Sequence, residues 1–183
     1  NISVRDCRFF GTDVGLRFKS CRGRGGVVEN IHIKDIVMTD IPTEPLLFDL
    51  HYGGKSAVEA AEDGVSPFDI EPVPAGETTP EFRDIHISDI FCKGAARAMY
   101  FNGIPEMPIN GITVEDCLIV SDLGADIRYS EDVVLRNVRI RHGDGPAYVF
   151  ANCGEVRMSG CPDSDVDGGR GIFRHNSDKV TVE

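Results

Sequence analysis

The sequence predicts an all-β solenoid, a parallel β-helix of about seven rungs. Three observations carry that prediction. Seven short segments share one template of apolar residues alternating with variable ones, starting at Ile2, Ile31, Ile85, Ile112, Val133, Val156 and Val180. The starts are separated by 29, 54, 27, 21, 23 and 24 residues, a near-fixed period of the size that marks stacked repeats. Each period also holds a second apolar strand: Leu16-Arg17-Phe18, Leu46-Leu47-Phe48, Met99-Tyr100-Phe101, Ile127-Arg128-Tyr129, Tyr148-Val149-Phe150 and Gly171-Ile172-Phe173. Helical periodicity is almost absent, which argues against helical and leucine-rich repeats.

The first copy, Ile2-Ser3-Val4-Arg5-Asp6-Cys7, shows how the template works. Side chains alternate along a strand, so Ile2 and Val4 share one face. Matching positions of successive rungs stack about 4.8 Å apart, so the seven starting residues form one buried column. Asp6, Asp35, Asp89, Asp116 and Asn137 gather at one turn. Asx residues there bond local backbone, and repetition along the rungs marks a scaffold rather than a metal site.

The second strand of the first period, within Gly15–Ser20, is the one that stands out. Leu16 and Phe18 point one way, Arg17 and Lys19 the other, with the two cations about 7 Å apart along the strand. One reading is a solvated face with two bases. The other is a small cationic pocket for a carboxylate or similar anion, with Arg17 as fork and Lys19 as point charge.

Cys7, Cys117 and Cys161 occupy one template position and act as core fillers. They lie two or three rungs apart, at least about 10 Å, beyond the Cα separation a disulfide spans. No Cys-x-x-Cys or His-x-x-x-His spacing suggests a metal. The 54-residue interval contains an insertion over residues 53–80, where the template is lost. Ser56 and Gly64 bracket a short helix, and an acidic Pro/Gly loop follows. The insertion leaves the solenoid directly after Asp49-Leu50-His51-Tyr52, a position from which it walls the groove beside Arg17 and Lys19. The last segment, Val180-Thr181-Val182, closes the stack.

At 183 residues the chain is a single β-helix domain, and no apolar run approaches a membrane span. Thirty acids against 19 bases give a net charge of −11, which excludes general binding to nucleic acid or anionic membranes. An acidic substrate is still allowed where a local basic site overrides that field. The chain opens in mid-pattern without an initiator Met, which we read as a fragment.

The template together with Gly11-Thr12-Asp13-Val14-Gly15-Leu16-Arg17-Phe18-Lys19, Gly23-Arg24-Gly25-Gly26 and Val28-Glu29-Asn30-Ile31 resembles glycoside hydrolase family 28, the polygalacturonases and their relatives, bacterial members above all. The resemblance implies a right-handed parallel β-helix, an acidic pectic polysaccharide (galacturonan) as substrate and no cofactor. It also implies an extracellular or periplasmic bacterial setting. Arg17 and Lys19 match the family's Arg-x-Lys motif, which binds a galacturonate carboxylate, with Phe18 where many members have Ile. Tyr52 falls where the family has a site-shaping aromatic, and adjacent His51 is a further substrate-binding candidate. The family's Asn-Thr-Asp motif, Asp-Asp pair and Gly-His-Gly segment, all preceding Arg-x-Lys, are absent. The resemblance therefore implies a C-terminal part of an inverting hydrolase, with no catalytic residue in this chain. Two alternatives stay open: a polysaccharide lyase working by Ca²⁺-assisted β-elimination, and a non-catalytic polysaccharide-binding β-helix. No oligomeric state is implied.

Overall fold

A computed structural model describes residues 1–51, 68–143, 145–162 and 171–183. All its elements are strands: β1 (Ile2–Phe10), β2 (Leu16–Lys19), β3 (Val27–Val28), β4 (Ile31–Ile41), β5 (Leu46–Asp49), β6 (Glu81–Ala95), β7 (Arg97–Asn102), β8 (Ile109–Val120), β9 (Leu123–Arg128), β10 (Ser130–Arg141), β11 (Tyr148–Ala151), β12 (Val156–Ser159), β13 (Ile172–His175) and β14 (Val180–Val182). They alternate between two sheets, one ordered β1-β4-β6-β8-β10-β12-β14 with β3 beside β6, the other β13-β11-β9-β7-β5-β2. Every pairing between these strands is parallel. The chain is a parallel β-helix, with one apolar core enclosed between the sheets.

The long sheet keeps the expected register without a slip. Ile2, Ile31, Ile85, Ile112, Val133, Val156 and Val180 are successive partners across all seven strands. All but Ile2 are buried. Ile2 aligns with the column but is 55% exposed, because β1 is an edge strand with a neighbour on one side only. The shorter sheet corrects one reading of the sequence. Ala125, not Ile127, pairs with Met99 and Tyr148, while Ile127 stacks between Phe101 and Phe150. Likewise Ile172, not Gly171, pairs with Tyr148. Alanine's small side chain hid the strand's start, and Tyr129 falls outside β9.

The Asx column has a backbone cause. Asp6, Asp35, Asp89, Asp116 and Asn137 all have φ between 52° and 58°, the left-handed region that Asp and Asn tolerate best among residues bearing a Cβ. Each adds one extra outward position inside its strand. In β4, Ile31 and Ile33 face the core, Lys34 and Asp35 both face out, and Ile36 and Met38 return to the core. Asn137 also reaches along the column, its Nδ2 donating to Asp116 Oδ1 at 2.9 Å. Of the twelve non-glycine residues with positive φ among those described, eleven are Asp or Asn. Tyr129, at φ 44°, is the exception.

All six cysteines are free thiols. Cys117 and Cys161 are buried, Cys7 is half-buried, and each Sγ points back to the backbone carbonyl two residues earlier. Burial pushes the Cys117 thiol up to about 12 and those of Cys92 and Cys153 to about 11, so these groups pack rather than react. Expected features over residues 52–67, including Tyr52 and the Ser56–Gly64 helix, lie outside the described residues.

Candidate functional site

β2 is held from below. Leu16 is buried, and Phe18 stacks on Phe48 with ring centroids 4.4 Å apart, which Phe101 continues at 4.6 Å. With those two side chains committed to the core, Arg17 and Lys19 stand exposed on the outer face of the shorter sheet. Register extends each into an outward row. One row runs Arg17, Leu47, Tyr100, Asp126, Val149, Phe173, and the other Lys19, Asp49, Asn102, Arg128, Ala151, His175.

Beside the cations lies a hydrogen-bonded group. Asp49 Oδ1 accepts from Asn102 Nδ2 at 3.0 Å and from the His51 backbone N–H at 2.9 Å. The His51 ring is half-buried, with Nε2 3.0 Å from the Gly103 carbonyl oxygen. Burial lowers its pKa, against the opposing pull of that carbonyl and of Asp49. The neutral tautomer with a proton on Nε2 fits this contact and leaves Nδ1 as an acceptor. Thus the structure sets Arg17, Lys19 and His51 around one end of the outer face.

A side wall follows the C-terminal ends of the same strands. The Arg22 guanidinium forks onto Glu106, Nε to Oε1 at 2.6 Å and Nη2 to Oε2 at 2.8 Å, and also donates to the Glu71 carbonyl at 3.2 Å. The Glu106 side chain is only 4% exposed. Burial by itself would raise its pKa; the Arg22 bonds and charge, with backbone N–H donors, outweigh it and lower the pKa. Further along, the Gly23 and Gly25 N–H groups both donate to the Thr78 carbonyl. Gly25, at φ 61°, has no room for a side chain, since a Cβ would lie 2.2 Å from the Glu77 carbonyl oxygen. The Gly-rich loop is therefore shaped to receive the returning end of the insertion.

The described start of that end, residues 68–71, lies across the later rungs. Phe68 accepts at its carbonyl from Tyr129 Oη at 2.8 Å and from Asn152 Nδ2, and the Ile70 N–H donates to Tyr129 Oη at 2.7 Å. Arg128 forks onto Asp126 at 2.8 and 2.6 Å and lies 4.9 Å from the Phe68 ring centroid. At the opposite edge of the sheet, burial raises the pKa of Glu44 although Arg97 approaches it at 3.4 Å. Reading the sequence missed Phe68, Arg22, Glu106, Glu44 and Arg128. The outward row was available as a signal for Arg128 once the strand frame was right.

Chemically, this face offers a guanidinium and an ammonium for an anion, next to carboxylate, amide and imidazole groups suited to hydroxyls. Among the described residues no cluster of three or more His, Cys, Asp or Glu is arranged to hold a metal. No curated protein and no solved structure matches the chain. Residues 1–73, the stretch that carries Arg17, Lys19 and His51, match the family model described as glycosyl hydrolases family 28.

Proposed function

We propose that this chain is part of a glycoside hydrolase that cleaves galacturonate-containing pectic polysaccharide, and that Arg17 and Lys19 hold a sugar carboxylate. The supporting observation is the pair itself: two cations outward on a strand anchored by Leu16 and Phe18, inside the matched residues of a chain with net charge −11. In this reading hydrolysis is inverting, with an acid and a base carboxyl about 6.5–9.5 Å apart across the sugar. Those two groups come from rungs that are not in this chain, which binds without cleaving. Tyr52 and His51 border the same subsite, and a secreted or periplasmic protein meets the polymer there.

The energetics fix the test. Hydrogen bonds to charged groups contribute about 1.5–3 kcal/mol each. Losing one from the bound uronide weakens binding by about 10- to 150-fold. Titration of oligogalacturonides into the chain should show that loss for Arg17→Ala, with partial recovery in Arg17→Lys, since an ammonium lacks the fork. The melting temperature should hardly move, because the side chain is outside the core. Methyl esters carry no charge, so wild type and variant should differ little on esterified oligomers. Equal losses on charged and esterified oligomers would sink the assignment.

A further inference from the structure

We infer that His32 and His86 form a surface site for a late first-row divalent transition metal, which clips together the rungs on either side of the insertion. The two residues are register partners in β4 and β6. Their rings stack with centroids 5.1 Å apart and planes 8° apart, and both side chains are exposed on the long sheet. Along their row the neighbours are Ser3 on one side and Thr113 on the other. The backbone beneath them is fixed, since the flanking Ile31, Ile33, Ile85 and Ile87 are all buried in the core. Spacing along a single strand gives no hint of the pair. The two lie 54 residues apart and meet only through the register.

Imidazole is a preferred ligand of divalent nickel, copper and zinc. With metal–nitrogen bonds of about 2.1 Å, two imidazoles side by side on one ion place their centroids about 5 Å apart. The stacked pair already has that separation. Each ring has only to turn about its Cβ–Cγ bond, a soft torsion, to aim one nitrogen at a shared ion. The cations nearest along the two strands are held by carboxylates. Lys34 Nζ lies 3.6 Å from Asp89, and Arg83 bonds Glu29 and Glu81 at 2.6 and 2.9 Å. Two protein ligands leave the other positions of the ion to water, so the metal exchanges with solution and acts as a clip. What it closes is long: the chain between the two histidines contains the 53–80 insertion, and ties across long loops restrain the unfolded chain most. The clip lies on the other sheet from Arg17 and Lys19 and does not depend on what they bind.

Nickel chloride is the probe, titrated into the whole chain while the ring protons of its five histidines are followed by NMR. The paramagnetic ion should broaden the His32 and His86 signals together, at a concentration at least about tenfold below that which affects the others. His32→Gln, and separately His86→Gln, should weaken nickel binding in calorimetry by at least about tenfold, because either change breaks the chelate. At a hundredfold excess over Kd, nickel should raise the melting temperature of the wild type by about 5–10 °C and that of either variant hardly at all. Calcium, which takes oxygen ligands, should do none of this. If all five histidines fade together, if only one of the pair responds, or if calcium acts like nickel, the two rings are a stacking contact and the site is wrong. Nickel bound without a rise in melting temperature would overturn the clip. The wild-type spectra and melting curves decide between these outcomes even if a variant fails to fold.

Discussion

The two sheets follow the same alternation, yet one outward row of each, the fourth position of the long-sheet template and the second of the shorter sheet, differs in kind. On the long sheet the outward row Arg5, Lys34, Ser88, Glu115, Arg136, Ser159 contains only small or charged residues. They bond along the row or to the adjacent corner, as in Arg136 to Glu115 at 2.8 Å and Lys34 to Asp89 at 3.6 Å. On the shorter sheet the outward row changes from Arg17 through Leu47, Tyr100 and Asp126 to Phe173, and distant segments pack onto it. Stacked neighbours dictate what faces the core, since each buried position touches the same position above and below. What faces out is free of that rule, and it becomes irregular where something else has to be met.

Substitutions at three positions test how far this contrast reaches. Phe48→Ala should have the largest effect. It removes the buried ring between Phe18 and Phe101 and should cost about 3–5 kcal/mol in urea or thermal unfolding. A loss of under 1 kcal/mol would mean that the stack re-forms without it, and that the core is less constrained than its regularity implies.

Next comes Arg22→Met, which leaves the enclosed Glu106 carboxylate without its fork and should cost about 1.5–3 kcal/mol at neutral pH. The sign with pH follows from linkage. The folded pKa of Glu106 lies below its ordinary value, so its contribution is full above the ordinary carboxylate range. It is lost as pH falls through the folded pKa. The gap between wild type and Arg22→Met should therefore narrow on acidification, and a gap that widens would place the stabilisation elsewhere.

The smallest effect belongs to the corner residues. Asp35→Val should cost about 1–2 kcal/mol, because a β-branched residue resists the left-handed region, while Asp35→Gly should be close to neutral. Equal losses from the two would show that the carboxylate, and not the backbone conformation, matters at that corner.

What was legible in the sequence followed the period. The column from Ile2 to Val180 was readable because one alternation recurs seven times, and Arg17 and Lys19 were readable as outward because Leu16 and Phe18 are apolar. The frame of β9 was lost where Ala125, a weak apolar signal, stands in the place of Met99 and Tyr148. The wall and the returning end of the insertion left no periodic trace. Arg22 and Glu106 lie 84 residues apart, and Tyr129 is 61 residues from Phe68, so only the wound chain brings them together.

The left-handed corners also govern how such a chain can change length. A one-residue deletion within β4 upstream of Asp35 would turn Ile31 and Ile33 outward or move Asp35 off its corner, where Ile36 could replace it only at a steric cost. The segments between strands carry no such restriction. Ile85 to Ile112 spans 27 residues and Ile112 to Val133 only 21, yet both meet in the same column. Growth and loss are thereby quantised: whole turns can be added or removed, and the segments between strands can lengthen freely. A frame shift inside a strand is resisted from both sides of every corner. Lineages built on this winding should differ by complete coils and by the size of their excursions, the 28 residues of the 53–80 insertion among them.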